Sequence, residues 1–126
     1  MTVVVDTSVL IDHLRGKPAA REALSGLIES GEAIVGTVLS RTEVLAGMRS
    51  GEDVGTLALL DTLEWLPVTA DIADRAGRFA QTYLRSHTGV DTVDHVIAAT
   101  VEAVGGRLWT RNVKHFPMFG DLAAPY

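Results

Sequence analysis

The chain contains no cysteine, which excludes disulfides and thiolate metal centres and fits a reducing compartment. Basic charge is also scarce. Eleven Lys and Arg stand against sixteen Asp and Glu, a formal net charge of −5, which argues against a basic surface that wraps nucleic acid without selectivity. A nuclease remains compatible with that balance, because acids pooled around a cation leave the rest of the surface more positive than the formal sum. No apolar run reaches membrane-spanning length, and no basic stretch precedes an apolar one at the N-terminus, so a soluble cytoplasmic protein is expected. Internal repeats, linkers and low-complexity segments are absent as well. What is present is 47% hydrophobic and 21% charged residues in a chain of 126. That is enough for one folded domain spanning 1–126 and too little for two.

The first dozen residues organise the rest. Val3, Val4 and Val5 read as a short strand buried on both faces, which stops at Asp6 before a helix opens at Thr7. A carboxylate at the carboxyl end of a strand lies on the edge of an α/β sheet where ligands collect. A helix from Pro18 to about Ser30 follows, with Ala20, Ala23, Leu24, Leu27 and Ile28 on one face and Gly31 as its stop. Ala33 to Gly36 forms a second strand, and Thr37 to Gly51 a helix that offers Val38, Leu45, Ala46 and Met48 for burial. Glu52 to Leu63 is rich in leucine on more than one face, through burial between neighbours or through a homodimer surface.

Trp65 to Val68 is a third strand, short or at an edge because it contains Pro67. Asp71 to Arg85 is amphipathic, and the spacings Asp71–Arg75 and Asp74–Arg78 explain two of its arginines as members of a salt-bridged face. The apolar face of Asp91 to Gly105 marks another helix, Arg107 to Thr110 a fourth strand, and the aromatic tail an ordered end. Strands alternating with helices imply a mainly parallel sheet between helical layers.

On a parallel sheet, Asp6, Glu43, Asp94 and Asn112 all project toward one edge. Each has an ordinary alternative: Asp6 as a helix cap, Ser40 and Glu43 as a capping box, Asp91 and Asp94 as first-turn acids favoured by the helix dipole. Their convergence favours chemistry. Carboxylates crowded together need protons or a cation, and oxygen donors select hard ions such as Mg²⁺ or Mn²⁺. Water on such an ion is acidified and is aimed at a phosphate held beside it.

Val3-Val-Val-Asp6-Thr-Ser8-Val-Leu-Ile-Asp12, Ser40-Arg-Thr-Glu43-Val-Leu-Ala-Gly47, Val93-Asp94-His-Val-Ile-Ala-Ala99 and Thr110-Arg-Asn112-Val-Lys-His-Phe116 resemble the successive motifs of PIN-domain ribonucleases. More narrowly, the size, the last of these stretches and the Pro125-Tyr126 ending resemble VapC toxins of bacterial toxin–antitoxin pairs. The resemblance implies a three-layer α/β/α PIN-like fold with a short, mainly parallel central sheet. It also implies a Mg²⁺- or Mn²⁺-dependent endoribonuclease, in which Asp6, Glu43 and Asp94 match the metal-binding acids and Ser8 matches a supporting polar position. A homodimer and a cognate VapB-type antitoxin, lying across the active-site groove, are implied as partners. Asn112 departs from the pattern, standing where many members carry a fourth acid; Asp91 is a candidate to compensate, and Thr110 adds a hydroxyl nearby.

Arg41, Arg85, His87, Arg111, Lys114 and His115 are candidate RNA phosphate contacts, with Arg111, Lys114 and Arg85 foremost, while Trp65 and Trp109 read as packing residues. Ser8 argues against a haloacid-dehalogenase-type phosphatase, which needs an acid there, and neither middle strand ends in the acid that a receiver domain phosphorylates. The non-enzymatic alternative is an RNA- and antitoxin-binding module with a weakened catalytic site.

Overall fold

The computed structural model describes residues 1–83 and 89–126. The expected end of the Asp71 helix at Arg85, and His87, therefore lie outside the described residues. Within them run β1 (Thr2–Val5), α1 (Thr7–Leu14), α2 (Pro18–Glu29), β2 (Ala33–Thr37), α3 (Val38–Ala46), α4 (Asp53–Leu60), β3 (Glu64–Leu66), α5 (Ala70–Tyr83), α6 (Thr92–Val104), β4 (Arg107–Trp109) and a single 3₁₀ turn, η1 (Val113–His115). The strands form one parallel sheet in the order β3-β2-β1-β4. No described helix is long and apolar enough to cross a membrane.

The valine run accounts for the centre of this arrangement. Val3, Val4 and Val5 are all fully buried, and successive side chains of a strand point to opposite faces. Val3 and Val5 pack with Leu10 of α1, Leu24 of α2, Val44 of α3 and Leu60 of α4. Val4 packs on the other face with Ile97 and Val101 of α6, and α5 closes that layer through Ile72 and Ala76 against Val96 and Ala99. Helices thus cover both faces, as expected of α/β/α. Each buried valine contributes on the order of 1.5–3 kcal/mol to this burial.

Register positions the functional edge. Val5 pairs with Trp109, and the Asp6 amide donates to the Trp109 carbonyl at 2.9 Å. Asp6 and Thr110 are therefore neighbours where both strands end. The left-handed Gly105 (φ 64) turns α6 into β4, and Gly106 then runs so close to β1 that a Cβ there would sit 2.5 Å from the Thr2 carbonyl oxygen.

Several expectations need correction. The helix expected from Thr37 to Gly51 ends at Ala46, with Thr37 as its N-cap and Gly47 as its C-cap. Ser40 consequently lies inside α3, so it forms no capping box with Glu43. The buried side of α3 carries Ser40 and Val44, while Val38, Leu45 and Ala46 face solvent. A small serine on the inward face hides the rotational phase of such a helix from hydropathy. In α4 and just after it, Leu59, Leu60 and Leu63 are core residues; only Val54 and Leu57 remain as large exposed apolar side chains. Ile28 of α2 is also exposed.

β3 is one of the two edge strands and ends just before Pro67, which was expected inside it. Its Trp65 packs against Gly36, where a Cβ would approach the ring to 2.6 Å, and its indole N–H donates to the Leu60 carbonyl at 2.8 Å. Asp71 and Arg75 pair at 3.0 Å, and Arg75 also reaches Glu102 of α6; the expected Asp74–Arg78 pair does not form. The tail is ordered by aromatic contacts as expected: Phe116 is buried and stacks on Phe119, and the Tyr126 hydroxyl donates to Asp12 Oδ2 at 2.7 Å.

Candidate active site

A cleft of about 210 Å³ opens at the carboxyl ends of the strands, bordered by Asp6, Thr7, Ser8, Glu43, Asp91, Asp94, Asn112 and His115. Two hollows of about 400 Å³ lie beneath the tail at the β4 edge, but Asp121 is the one acid bordering them. The smaller cleft is where the chemistry converges.

Asp6 occupies the N-cap position of α1, yet its side chain makes no capping bond, so the capping account of this residue fails. Its carboxylate is turned instead toward the β4 end. Asp6 is 3% exposed, and its Oδ2 accepts from the Ser8 hydroxyl at 2.8 Å and the Thr110 hydroxyl at 2.7 Å. Those hydroxyls in turn accept from the backbone: the Arg111 N–H donates to Ser8 Oγ at 3.1 Å and the Asn112 N–H to Thr110 Oγ1 at 2.9 Å. The loop after β4 is thus knitted to Asp6 through two hydroxyls.

Glu43 is half-buried on α3 and held from outside its own helix. The Thr7 hydroxyl donates to Glu43 Oε1 at 2.7 Å, a role that sequence reasoning missed. Its signal was position alone, a hydroxyl directly after the strand-end aspartate.

Asp94 lies in the first turn of α6, 8% exposed. Asp91 is the N-cap and forms a capping box with it: the Asp94 N–H donates to Asp91 Oδ1 at 3.0 Å, and the Asp91 N–H to Asp94 Oδ2 at 3.2 Å. His115 Nδ1 is 3.2 Å from the same Oδ2. Burial pushes the Asp94 carboxyl up to about 6; the nearby charges of Asp91 and Asp6 push the same way, against the capping hydrogen bond and His115.

Each of the three acids therefore has one oxygen held by a protein donor. No hydrogen bond among the described residues engages Asp6 Oδ1, Glu43 Oε2 or Asp94 Oδ1. No three acidic or imidazole groups among those residues approach closely enough to cage an ion as they stand. By donor type the set does fit a hard divalent cation: three carboxylates with an oxygen to spare, one of them raised in pKa by burial and like charge, a strain that a cation relieves.

Asn112 borders the cleft from the start of η1. His115, expected only as a phosphate contact, proves to be a direct neighbour of Asp94. Arg111 is turned to the tail: its guanidinium lies 4.9 Å from the centre of the Tyr126 ring and donates to the Tyr126 main-chain oxygen. Arg41 is stacked on Trp65 at 5.4 Å, which supports the packing role of that tryptophan. Lys114 is exposed. Arg85 lies outside the described residues.

The PIN domain profile matches residues 3–117. The chain is 48% identical to ribonuclease VapC19 of Mycobacterium tuberculosis, with 98% of each chain covered, and 40% identical to ribonuclease VapC10 of the same organism, over 98% of this chain and 92% of that one. Its backbone superposes on a toxin–antitoxin complex from Klebsiella pneumoniae with a TM-score of 0.80 at 25% identity, covering 98% of each chain. Since the profile spans the sheet and every acid of the cleft, the protein belongs to the PIN domain family.

Proposed function

We propose that this protein is a Mg²⁺- or Mn²⁺-dependent endoribonuclease, the toxin of a type II toxin–antitoxin pair. Asp6, Glu43 and Asp94 hold the cation and carry catalysis; Ser8, Thr110, Asn112 and Asp91 support them. The observation that carries this reading is the cleft itself, in which three acids from separate elements each keep an oxygen free. The names of the two VapC ribonuclease relatives support the substrate class and, as VapC proteins, a VapB-type antitoxin, and that of the Klebsiella pneumoniae complex supports an antitoxin as partner.

A divalent cation, when bound, supplies Lewis acidity toward water and phosphate. The chain's own residues prepare for it. Ser8 and Thr110 fix the rotamer of Asp6, Thr7 does the same for Glu43, and the capping box fixes Asp94. Such supporting hydrogen bonds keep ligands in place before the ion arrives. Because Asp94 releases its proton only near pH 6, cation binding and cleavage weaken together as the pH falls through that value.

Lys114 and Arg111, sequence neighbours of the cleft residues Asn112 and His115, are the candidate phosphate contacts, Lys114 with no described partner and Arg111 once it leaves Tyr126. The expected homodimer remains part of the proposal, with a smaller apolar surface than the leucine content of α4 suggested: Val54 and Leu57 on α4, Val38 and Leu45 on α3.

The absence of a ready-made cage among the described residues, together with Asn112, favours one rival, a module that binds RNA and antitoxin but cleaves weakly. Incubating total bacterial RNA with the antitoxin-free protein separates the two, with Mn²⁺ or Mg²⁺, with EDTA, and with Asp94→Asn. Discrete fragments that require the ion and vanish in the variant are expected. Identical lanes would leave the binding module.

A further inference from the structure

We infer that Tyr126 and Asp12 are positioning residues for the cleft: together they brace the loop after β4 against α1 and so keep Ser8 on Asp6. The inference rests on the ribonuclease reading above and deepens it. Asp12 ends the first of the four sequence stretches and Tyr126 belongs to the Pro125-Tyr126 ending, yet neither borders the cleft.

The contacts run in one chain. Asp6 Oδ2 accepts from Ser8 Oγ at 2.8 Å, and Ser8 Oγ accepts from the Arg111 N–H at 3.1 Å, so this hold on Asp6 is only as firm as the backbone at Arg111. The Arg111 side chain anchors that backbone: its guanidinium lies 4.9 Å from the centre of the Tyr126 ring and donates to the Tyr126 main-chain oxygen. Tyr126 in turn packs against the core cluster of Val5, Val9 and Leu10, and its hydroxyl donates to Asp12 Oδ2 at 2.7 Å. Burial and the Asp12 carboxylate hold the phenol pKa well above its ordinary value, against the pull of Arg111, so the hydroxyl keeps the proton it donates.

Ser8 and Asp12 stand four residues apart on α1 and therefore share a face. Arg111 is fastened to that face at two points, by its amide at Ser8 and, through Tyr126, by its guanidinium at Asp12. One attachment alone leaves the loop free to swing about it; two fix its height and its tilt. Arg111 meets phosphate only at the expense of this brace. When the brace is cut, Thr110 Oγ1 still holds Asp6 at 2.7 Å, so the carboxylate is loosened without being released. The effect belongs at the lower end of the roughly tenfold to hundredfold range of supporting hydrogen bonds.

The test compares wild type, Tyr126→Phe, Asp12→Ala, Asp12→Asn and the double variant Tyr126→Phe/Asp12→Ala, each as the full chain free of antitoxin. Two quantities are read: hydrogen exchange of the Arg111 amide in the metal-free protein, by NMR, and steady-state cleavage, with Mn²⁺, of an oligonucleotide spanning a mapped site. Tyr126→Phe keeps the ring and the main-chain oxygen for Arg111 and removes only the hydroxyl. It and Asp12→Ala should each speed Arg111 exchange about tenfold and lower kcat about tenfold, with KM within about twofold of wild type. Asp12→Asn, whose amide oxygen still accepts from Tyr126, should stay near wild type in both. The double variant should lose no more than either single one, because both cut the same link. Faster exchange with unchanged kcat, lowered kcat with unchanged exchange, or losses that add in the double variant overturn the inference and leave the ribonuclease reading standing. A wild type that cleaves nothing with Mn²⁺ or Mg²⁺ overturns that reading, and the positioning role with it.

Discussion

At the scale of single residues, the cleft trades stability for chemistry, and Asp94 is where that is measurable. Its folded pKa is raised to about 6, above that of an unfolded carboxylate. Between about pH 4 and pH 6 the folded chain retains a proton that the unfolded chain has released, so stability falls as pH rises through that window. Asp94→Asn removes the charge yet keeps an oxygen to accept from the Asp91 N–H. In EDTA the variant is expected to exceed wild type by about 1–3 kcal/mol near pH 7 and to match it near pH 4, as read from urea unfolding. Equal stability near neutrality would mean that the charge is not strained. Saturating Mn²⁺ should reverse the order, because only wild type gains binding energy. Thr7 makes a second case: Thr7→Val keeps the shape but frees Glu43, and cleavage should drop about 10–100-fold with the unfolding midpoint little changed, while Thr7→Ser retains most activity. Wild-type cleavage by Thr7→Val would show that Glu43 needs no such tether.

At the scale of elements, close backbone approaches decide which substitutions the sheet tolerates. An alanine at 106 meets the Thr2 carbonyl at 2.5 Å, backbone against backbone at the β1–β4 pairing that carries Asp6 and Thr110. An alanine at 36 meets the Trp65 ring at 2.6 Å, a side chain that can shift where the Thr2 carbonyl, held in the β1 backbone, cannot. Gly106→Ala should therefore cost the more of the two, about 2–3 kcal/mol, and Gly36→Ala about 1 kcal/mol with a shift in Trp65 fluorescence; denaturant midpoints rank them. The reverse order would mean that β1 and β4 separate easily. These approaches also mark how far the sequence could be read. The valine run, the alternation of strands with helices and the shortness of the third strand were legible because each rests on a local pattern, although Pro67 follows that strand instead of lying in it. The phase of α3 was not, since Ser40 faces inward. Nor were Thr7 holding Glu43, His115 against Asp94, or Tyr126 over Arg111, all contacts that the fold creates between distant residues. The acids themselves were found because strand ends converge whatever the details of packing.

At the scale of the whole molecule, charge limits how the protein can hold RNA. The chain carries −5, and many of its cations are already engaged: Arg15 with Glu52, Arg75 with Asp71 and Glu102, Arg107 with Glu32, Lys17 with Asp12. Near the cleft, Arg111 is committed to Tyr126 and Arg41 to Trp65, which leaves Lys114 as the cation there with no described partner. A site that neutralises only two or three phosphates releases few counterions, so for single-stranded RNA the logarithm of affinity should fall with that of salt at a slope of about −1.5 to −2. Raising salt from about 50 to 200 mM should then weaken binding about tenfold, against the thousandfold or more of a protein that grips six to ten phosphates. The measurement uses Asp94→Asn, so that the RNA is not consumed, and an oligonucleotide spanning a mapped cleavage site. A shallow slope would mean that selectivity comes from the shape of the cleft and the few groups at its rim, as the acidic balance implies. A steep one would mean that Arg111 and Arg41 leave their aromatic partners to meet the backbone, and Tyr126→Ala, which removes the ring but keeps the main-chain oxygen that Arg111 donates to, should then steepen it no further.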